Sequence, residues 1–347
     1  MRAVVLYGPN SLRYEDVPDP VLVPGDVLLR TKSAAVCGTD LRIVDGSKTR
    51  GVRFPSIIGH ELAGEVVDLV PPVTGIRLGD RVSVAPIMAC GRCYYCRHNL
   101  ENLCADQDII GYNHDGGFAE YVRLPARAVL AGNVFRLPDN VSYDEGALAE
   151  PLACCVNGNE KSQIRLGQSV LIIGAGPIGL MHVQLALVAG AREVIVSEPS
   201  SHRRHLARDL GATTLVDPAE EDLAAAVKER TEGVGVDSVI MAFGLPRLVG
   251  EALSLARKGG VVNLFAGFPG RGDTTIEANL IHYNETVVVG TSSSTLRHYK
   301  KALKLIAEGG VEVRRLVTST FPLAATATAI ETASRREGLR AMVHPDQ

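Results

Sequence analysis

Residues 169–179 read SVLIIGAGPIG, and this stretch decides the fold of the middle of the chain. Five residues typical of a buried strand lead directly into a G-x-G-x-x-G pattern, which opens a stretch with helical character. The three glycines permit a tight turn, a close approach of the backbone to a pyrophosphate, and close packing of helix on strand. The helix N-terminus adds N–H groups and a positive dipole end. The pattern therefore predicts a dinucleotide site at Gly174, Gly176, Pro177, Ile178 and Gly179, with a glycine-rich turn that binds nothing as the alternative.

Short apolar runs and amphipathic stretches alternate from this point to about residue 290. We predict strands over residues 169–173, 193–197, 213–216, 236–241, 260–265 and 286–290. We predict helices over residues 178–189, 201–210, 220–230 and 247–258. Strands that alternate with helices are typical of a doubly wound parallel sheet, the Rossmann fold. We assign residues 151–290 to this domain.

A carboxylate follows the second predicted strand. Glu198 lies 19 residues after Gly179, where it can accept hydrogen bonds from both adenosine ribose hydroxyls and repel a 2′-phosphate. This position favours NAD over NADP. Arg203 and Arg204 are close enough in sequence to weaken that preference, and Arg203 is a further candidate for cofactor contact. A solvated glutamate at a strand end is the alternative interpretation.

The first 150 residues have a different pattern. Apolar runs such as DVLLRTKSAAV, GEVVDLV and DRVSVAPI are separated by Pro and Gly, as in an antiparallel, partly barrel-like domain. After Gly290, helical patterns return in LRHYKKALKLIAEG and LAATATAIETASRR. We expect residues 291–347 to pack back onto residues 1–150 and to complete that domain.

Composition and charge exclude several classes of partner. The chain has 347 residues, of which 36 are basic and 39 acidic, so its formal charge is −3 and it offers no broad field to attract nucleic acid or an acidic membrane. The N-terminal apolar stretch is short, and the longest apolar run is broken by glycines, so neither a signal peptide nor a membrane span is expected. We expect a cytoplasmic protein that acts on a small molecule.

Four of the seven cysteines lie within residues 90–104, CGRCYYCRHNLENLC. Disulfides are disfavoured in a reducing cytoplasm, whereas the spacing allows a looped backbone to wrap four thiolates around one tetrahedral zinc. A closed shell of this kind leaves no position for substrate, so the zinc would be structural. The alternatives are four reduced cysteines in a loop, or a zinc ribbon that binds nucleic acid. The predicted ligands are Cys90, Cys93, Cys96 and Cys104.

A second group of possible metal ligands is dispersed along the chain. Cys37 in AVCGTDLRI precedes His60 and Glu61 in IIGHELAGEVV by 23 and 24 residues, and Glu150 lies in LAEPLACC. A thiolate, an imidazole and one or two carboxylates would make a mixed zinc shell that is open to water or substrate. The alternative assigns these residues ordinary roles, as a buried cysteine, a core histidine and surface charges.

Taken in order, these motifs resemble those of the zinc-containing medium-chain dehydrogenase/reductase family. The resemblance covers nearly the whole chain, through CGTD, GHExxGEV, the four cysteines, DGGFAEY at residues 115–121, EPLAC and GAGPIG. It implies a GroES-like, mostly antiparallel catalytic domain followed by the Rossmann domain. The GHE and EPLAC variants are most similar to the polyol (sorbitol) and threonine dehydrogenases. Relatives form dimers or tetramers, so a homodimer or homotetramer is expected.

The resemblance also implies an activity. Cys37, His60 and Glu61 would bind a catalytic zinc, and Glu150 would be a fourth ligand or hold the zinc-bound water. Thr39 resembles the hydroxyl that passes the substrate proton toward the nicotinamide ribose. The implied reaction is transfer of a hydride from a secondary alcohol to NAD⁺, giving a ketone, with two zinc ions per chain.

Some positions depart from the family pattern. Arg42 stands where many relatives have a histidine that finishes the proton relay, and arginine stays protonated. Ser292, Ser293 and Ser294 stand where polyol dehydrogenases often carry an Arg-Tyr pair, and threonine dehydrogenases usually lack the IHYNE stretch at residues 281–285. The expected substrate is a polyol, cyclitol or sugar derivative. The alternatives are an amino-alcohol dehydrogenase of the L-threonine 3-dehydrogenase type and a nucleotide-binding protein without catalysis.

Overall fold

The computed structural model describes residues 1–346, which form two compact units. One unit contains Met1–Ala153 together with the chain from Ser294 onward, and the other contains Cys154–Ser293. Each unit has its own buried apolar core. Within the described residues, no helix has both the length and the apolar character needed to cross a bilayer.

Among the described residues, the two units contain eighteen strands and twelve α-helices, besides three short 3-10 helices. The strands are β1 (Arg2–Leu6), β2 (Leu12–Asp16), β3 (Val27–Ala35), β4 (Ser56–Ile57), β5 (Glu61–Leu69), β6 (Arg81–Val84), β7 (Ile87–Met88), β8 (Asp108–Ile109), β9 (Tyr121–Leu124), β10 (Val134–Arg136), β11 (Ser169–Ile173), β12 (Glu193–Ser197), β13 (Thr214–Val216), β14 (Val236–Met241), β15 (Ala256–Leu264), β16 (Val287–Gly290), β17 (Val317–Pro322) and β18 (Arg340–His344). The helices are α1 (Gly38–Val44), α2 (Tyr94–Arg97), α3 (Ala126–Ala131), α4 (Tyr143–Ala147), α5 (Ala149–Lys161), α6 (Pro177–Val188), α7 (Ser201–Asp209), α8 (Leu223–Arg230), α9 (Leu248–Leu255), α10 (Asn279–His282), α11 (Leu296–Ala307) and α12 (Thr326–Ser334).

The unit Cys154–Ser293 is a six-stranded parallel sheet in the order β13-β12-β11-β14-β15-β16. This is the classic order of a doubly wound dinucleotide-binding sheet, in which the chain reverses direction across the sheet after the third strand. The residues of β11 and β12 are buried throughout, as expected for central strands covered on both faces. The predicted Rossmann domain is confirmed.

Two predicted helices are shorter than expected, for identifiable reasons. Helix α8 begins at Leu223 because Asp222 caps it, accepting hydrogen bonds from the N–H groups of Ala224 and Ala225. Helix α9 ends at Leu255, and the next residues already belong to β15, where Ala256 pairs with Val236. Two glycines at 259 and 260 disfavour continuation of the helix.

The other unit is built on mostly antiparallel sheets, as predicted, with one parallel pair between β17 and β18. The largest has the strand order β10-β6-β5-β3-β18-β17, with β9 also paired to β3, and smaller sheets are β2-β1-β4 and β7-β8. Strand β18 pairs with β3 at Met342 opposite Ala35, so the C-terminal segment lies directly beside an N-terminal strand. The start of β5 lies on the other side of the same end of β3, with Glu61 opposite Ala35. This end of β3 leads into the candidate metal site.

Candidate active site

The start of helix α1 fixes the position of Cys37. The Cys37 side chain caps this helix and accepts a hydrogen bond from the Thr39 N–H at 3.5 Å. In return, the Asp40 carboxylate accepts a hydrogen bond from the Cys37 N–H at 2.9 Å, which completes a reciprocal cap. The Cys37 thiol is therefore held at a defined point between β3 and α1.

Register between β3 and β5 brings Cys37, His60 and Glu61 together. Because Glu61 pairs with Ala35, the residues just before β5 and just after β3 are neighbours although they are distant in sequence. One ligand atom of each of the three residues lies within 4.8 Å of the other two, and His60 and Glu61 are buried. The predicted Cys-His-Glu group is thus gathered at one point.

Two residues outside the predicted site support these side chains. The carboxylate of Asp40 lies 3.3 Å from Nδ1 of His60, which leaves Nε2 to face a metal. Arg340 at the start of β18 donates from Nη1 to both oxygens of Glu61, at 3.2 and 3.1 Å. Asp40 and Arg340 are both buried. The sequence analysis identified neither residue, although Asp40 belongs to the CGTD motif.

The electrostatics of this group fit a divalent cation. Burial and the nearby Glu61 carboxylate raise the pKa of Cys37 above its usual value. Burial disfavours the charged form of His60, but Asp40 and Cys37 outweigh it and raise the pKa of His60 well above its usual value. A half-buried thiol next to a buried imidazole and a buried carboxylate, with close ligand atoms, is suited to zinc, which would stabilise the thiolate that desolvation disfavours.

Glu150 lies outside the group whose ligand atoms are within 4.8 Å of one another. It is buried in the first turn of α5 and close enough to Tyr112 to contribute to the raised pKa of that phenol, about 12, which is caused mainly by burial. The Tyr112 ring makes an edge contact with His60, with 5.5 Å between ring centroids. Glu150 therefore belongs to the surroundings of the site, and its role toward zinc remains a prediction.

Thr39 and Arg42 lie on α1 beside the metal ligands. The guanidinium of Arg42 donates from Nη2 to Oγ1 of Thr39 at 3.1 Å. The Thr39 hydroxyl keeps its own proton and a free acceptor position for a second partner. Arg42 occupies the place of the relay histidine but can only donate hydrogen bonds.

The four cysteines at residues 90–104 form a separate group. Their Sγ atoms are 3.9 Å apart for Cys90 and Cys96, 3.5 Å for Cys93 and Cys96, and 3.8 Å for Cys93 and Cys104. These distances are far too long for disulfides. They match the edge of a tetrahedron with Zn–S bonds of about 2.3 Å, which is roughly 3.8 Å. Hydrogen bonds from backbone N–H groups lower the pKa of Cys93 to about 6, so a thiolate is already favoured there.

The glycine-rich loop joins β11 to α6 as predicted. Gly174 has φ +97°, which favours glycine, and a Cβ on Gly179 would lie 1.9 Å from the Gly174 carbonyl oxygen. At Gly176, the N-cap of α6, an added Cβ would meet nothing within 4 Å. The loop thus has open space at the helix N-terminus, where a pyrophosphate would accept hydrogen bonds from N–H groups of the first turn, at Ile178 and Gly179, while Pro177 begins the helix.

Glu198 holds this loop. One oxygen of its buried carboxylate accepts a hydrogen bond from the Ala175 N–H at 2.8 Å, and the other accepts one from the Ser200 N–H at 3.0 Å. Each oxygen retains a lone pair for a ribose hydroxyl. Arg204 is paired with Asp217 at 2.9 Å, while Arg203 is half-buried on α7.

Comparison with known proteins agrees with this geometry. An alcohol dehydrogenase GroES-like domain model matches residues 23–139, and a zinc-binding dehydrogenase model matches residues 177–308. The chain is 38% identical to the L-threonine 3-dehydrogenase of Pyrococcus furiosus, over 88% of this chain and 86% of that protein. This chain belongs to the zinc-containing medium-chain dehydrogenase/reductase family. The family and the fold predicted from the sequence are both confirmed.

Other dehydrogenases of this family are similar over almost the full length. The sorbitol dehydrogenase of Bacillus subtilis is 31% identical, and the alignment covers 100% of this chain and 98% of that protein. A proposed zinc-binding dehydrogenase from Sinorhizobium meliloti, with a crystal structure bound to NADP, is 34% identical with a TM-score of 0.93 over 99% of both chains. This chain is accordingly an oxidoreductase that acts on a small molecule and uses zinc and a nicotinamide dinucleotide. Membership of this family disfavours the alternative of a nucleotide-binding protein without catalysis.

Proposed function

We propose that this zinc-binding dehydrogenase oxidises a secondary alcohol of a polyol, cyclitol or sugar derivative to a ketone and passes the hydride to NAD⁺. The group of Cys37, His60 and Glu61, with ligand atoms within 4.8 Å of one another and with His60 and Glu61 buried, carries this proposal. A mixed set of three ligands leaves a position open for the substrate oxygen, unlike a closed shell of four thiolates. Similarity to a sorbitol dehydrogenase supports a polyol-like substrate.

The bound groups would supply the central chemistry, because zinc acts as a Lewis acid that lowers the pKa of the substrate hydroxyl and NAD⁺ accepts the hydride. The chain's own residues orient these groups. Asp40 and Arg340 hold His60 and Glu61, so that two of the three ligands have fixed directions. Glu150 would serve as a fourth ligand or hold a water at the open position.

The Thr39 hydroxyl would receive the substrate proton. Its Oγ1 is oriented by the Arg42 guanidinium, so its own proton points away from Arg42 toward other acceptors. Because arginine stays protonated, the proton must leave Thr39 by the cofactor ribose or water. Thr39→Ser should keep most of the activity and Thr39→Ala should lose about a hundredfold in kcat, the usual contribution of a positioned proton-transfer group. Equal activities of the two variants would contradict this role.

NAD is the proposed cofactor. The Glu198 carboxylate is fixed at the end of β12 by two backbone N–H groups, where it would bind the ribose hydroxyls and repel a 2′-phosphate. Arg204 is engaged by Asp217, so it is not free to compensate a phosphate. The Sinorhizobium meliloti relative was bound to NADP, so this choice needs a direct test on this chain.

We also propose two zinc ions per chain, one at Cys37, His60 and Glu61 and a structural one at the four cysteines. The near-tetrahedral spacing of the Sγ atoms of the four cysteines supports the assignment of the structural zinc. For assembly we propose a homodimer or homotetramer. Strand β16 is an edge of the parallel sheet and exposes Val287 and Val288, which are suited to pairing with another copy. Light scattering after size-exclusion chromatography would determine the assembly.

An amino-alcohol dehydrogenase of the threonine type is the second candidate. Its support is the 38% identity to the Pyrococcus furiosus enzyme. The two candidates differ in the group next to the reacting hydroxyl, which is an amino acid backbone in one case and a further hydroxyl-bearing carbon in the other.

The test is NADH formation by zinc-replete protein with a panel of polyols, cyclitols, sugar phosphates and L-threonine. Each substrate is run with NAD⁺ and with NADP⁺, and bound zinc is measured by mass spectrometry. We expect turnover within the polyol-like class, with NAD⁺ preferred. Turnover of L-threonine alone would favour the second candidate, and a chain that binds one zinc and is inactive throughout would contradict the proposed function.

A further inference from the structure

We propose that the substrate carries an anionic group, a phosphate or a carboxylate, which is held beside the metal ligands by Arg42 and Lys48, with Arg50 adding a positive charge next to them. This inference rests on the proposed function and narrows it by naming the class of alcohol. It concerns Lys48 and Arg50, to which the sequence motifs assign nothing, together with Arg42.

The chain after α1 folds back to place Lys48 near the site. A turn at Gly46, with φ +82°, reverses the backbone, and the Lys48 N–H donates to the Arg42 carbonyl at 2.8 Å. The Lys48 ammonium lies 5.0 Å from the centroid of the Tyr112 ring. The same ring makes the edge contact with His60. One aromatic side chain therefore separates Lys48 from a predicted zinc ligand.

The three cations lack acidic partners. Among residues 1–346, none of the three forms an ion pair, and the Lys48 ammonium donates no hydrogen bond. Asp45 accepts a hydrogen bond from the Ser47 N–H at 2.7 Å; contacts with Ser47, and to a smaller extent the charge of Arg42, lower the pKa of Asp45, but the two residues form no ion pair. Burial lowers the pKa of Lys48, and the positive charges of Arg42 and Arg50 lower it further. A half-buried ammonium flanked by two other cations is costly, and a bound anion would remove that cost.

Some other arginines of the same unit are paired with acidic residues. Arg53 is paired with Asp115 at 2.6 Å, Arg123 with Asp26 at 2.5 Å, and Arg127 with Asp108. Other cations of the unit, such as Arg30, Arg77 and Lys300, form no ion pair among the described residues. Arg42 and Lys48 differ from these because they lie at the edge of the metal site, where they could recognise an anion.

Arg42 connects this cluster to the reacting position. Its Nη2 donates to Oγ1 of Thr39 at 3.1 Å, and the remaining N–H groups of the guanidinium can bind an oxyanion. An anionic group bound to the Arg42 guanidinium would be separated only by that guanidinium from the Thr39 hydroxyl, which is proposed to receive the substrate proton. Three positive charges suit a phosphate or a carboxylate, whereas a neutral polyol gains nothing from them.

The first experiment compares matched substrates that differ in charge. Sorbitol is compared with sorbitol 6-phosphate, and L-threonine with L-threoninamide, and kcat/KM is measured for each. We expect the charged member of a pair to be preferred about tenfold or more, mainly through KM, as for hydrogen bonds to a charged group. The preferred pair identifies phosphate or carboxylate as the source of the charge. Equal or better turnover of both members that lack the phosphate or carboxylate, sorbitol and L-threoninamide, would contradict the proposal.

Variants locate the effect. Lys48→Met and Arg50→Met should each reduce the preference for the charged substrate about tenfold, while Lys48→Arg should keep most of it. Lys300→Met, an exposed lysine on α11, is the matched control and should leave the preference unchanged. A preference that survives Lys48→Met and Arg50→Met would show that the anion is held elsewhere.

The second experiment requires no turnover. Zinc-loaded protein is titrated calorimetrically with inorganic phosphate, and zinc content is matched between variants. We expect phosphate to bind the wild type and to bind Lys48→Met about tenfold more weakly. Equal affinities would mean that another group, such as the zinc, holds the phosphate, and would overturn the proposal. Phosphate binding that depends on Lys48, in a protein that oxidises no alcohol, would support the anion site and contradict the proposed function instead.

Discussion

The two candidate metal sites are built in opposite ways. The four cysteines come from fifteen consecutive residues and lie mostly in loops and short turns; Cys90 and Cys93 are half-buried, and Cys96 and Cys104 are buried. Cys37, His60 and Glu61 come from two chain segments that meet only because β3 pairs with β5. His60 and Glu61 are buried, Cys37 is half-buried, and further buried charges at Asp40 and Arg340 support the site.

This difference follows from what each metal has to do. A closed thiolate shell defines its own tetrahedral geometry, so hydrogen bonds from the local backbone are sufficient support. An open mixed shell does not define its own geometry, because one position must stay free for substrate and the protein ligands must be kept from filling it. Asp40 and Arg340 supply that restraint. The comparison predicts that changes at Cys37, His60 and Glu61 affect catalysis, whereas changes at the four cysteines affect stability.

The largest effect is expected for His60→Ala. Loss of this ligand should lower kcat/KM at least about a thousandfold, equivalent to roughly 4 kcal/mol of transition-state free energy, because the zinc would be lost or misplaced. Bound zinc should fall by one ion per chain, while the midpoint of thermal unfolding changes little. NADH formation, metal analysis and thermal unfolding monitored by circular dichroism provide the three measurements.

His205→Ala is the matched control for this variant, because His205 is exposed on α7. The control should keep its activity and both zinc ions. If His60→Ala kept its activity, or lost the zinc of the four cysteines, the assignment of separate roles to the two sites would be wrong.

A smaller effect is expected for Asp40→Asn. This change keeps the shape of the side chain but removes the negative charge 3.3 Å from Nδ1 of His60. Residues that orient metal ligands typically contribute about 10- to 100-fold to metal affinity or activity, and we expect a loss in this range. Zinc affinity, measured by competition with a chelator, should fall together with kcat/KM. A loss of activity with unchanged zinc affinity would mean that Asp40 acts on the helix cap at Cys37 instead.

The same contrast explains what the sequence could reveal. The four cysteines were found from spacing alone, because all the ligands lie in one short stretch. The G-x-G-x-x-G loop was found in the same way, and β11 and α6 flank it as predicted. The local sequence could have indicated the position of Asp40, because it stands three residues after Cys37 in the pattern of a reciprocal helix cap.

No local sequence pattern indicates the role of Arg340. Its contact with Glu61 joins residues that are 279 positions apart, and it exists because β18 pairs with β3. The cluster of Arg42, Lys48 and Arg50 is similar, because only the turn at Gly46 shows that Lys48 returns toward Tyr112. Local sequence patterns thus predict helices, strands and short motifs. Contacts between residues that are brought together by strand pairing or chain reversal are seen only in the structure.

The smallest effect on activity is expected for Cys93→Ser, and this variant tests the comparison from the other side. Removing one thiolate should release the structural zinc and lower the midpoint of thermal unfolding by roughly 5 °C or more, because metal binding contributes directly to folding. Measured on protein that is still folded at 25 °C, kcat/KM should stay within about threefold of the wild type, since no position of a closed shell is open to substrate. Arg97→Gln is the control, because Arg97 is exposed on α2 between the same cysteines. This variant should keep the structural zinc and the unfolding midpoint of the wild type. If Cys93→Ser reduced activity as strongly as His60→Ala while the protein remained folded and kept its other zinc, the four cysteines would take part in the chemistry and the division of roles drawn here would fail.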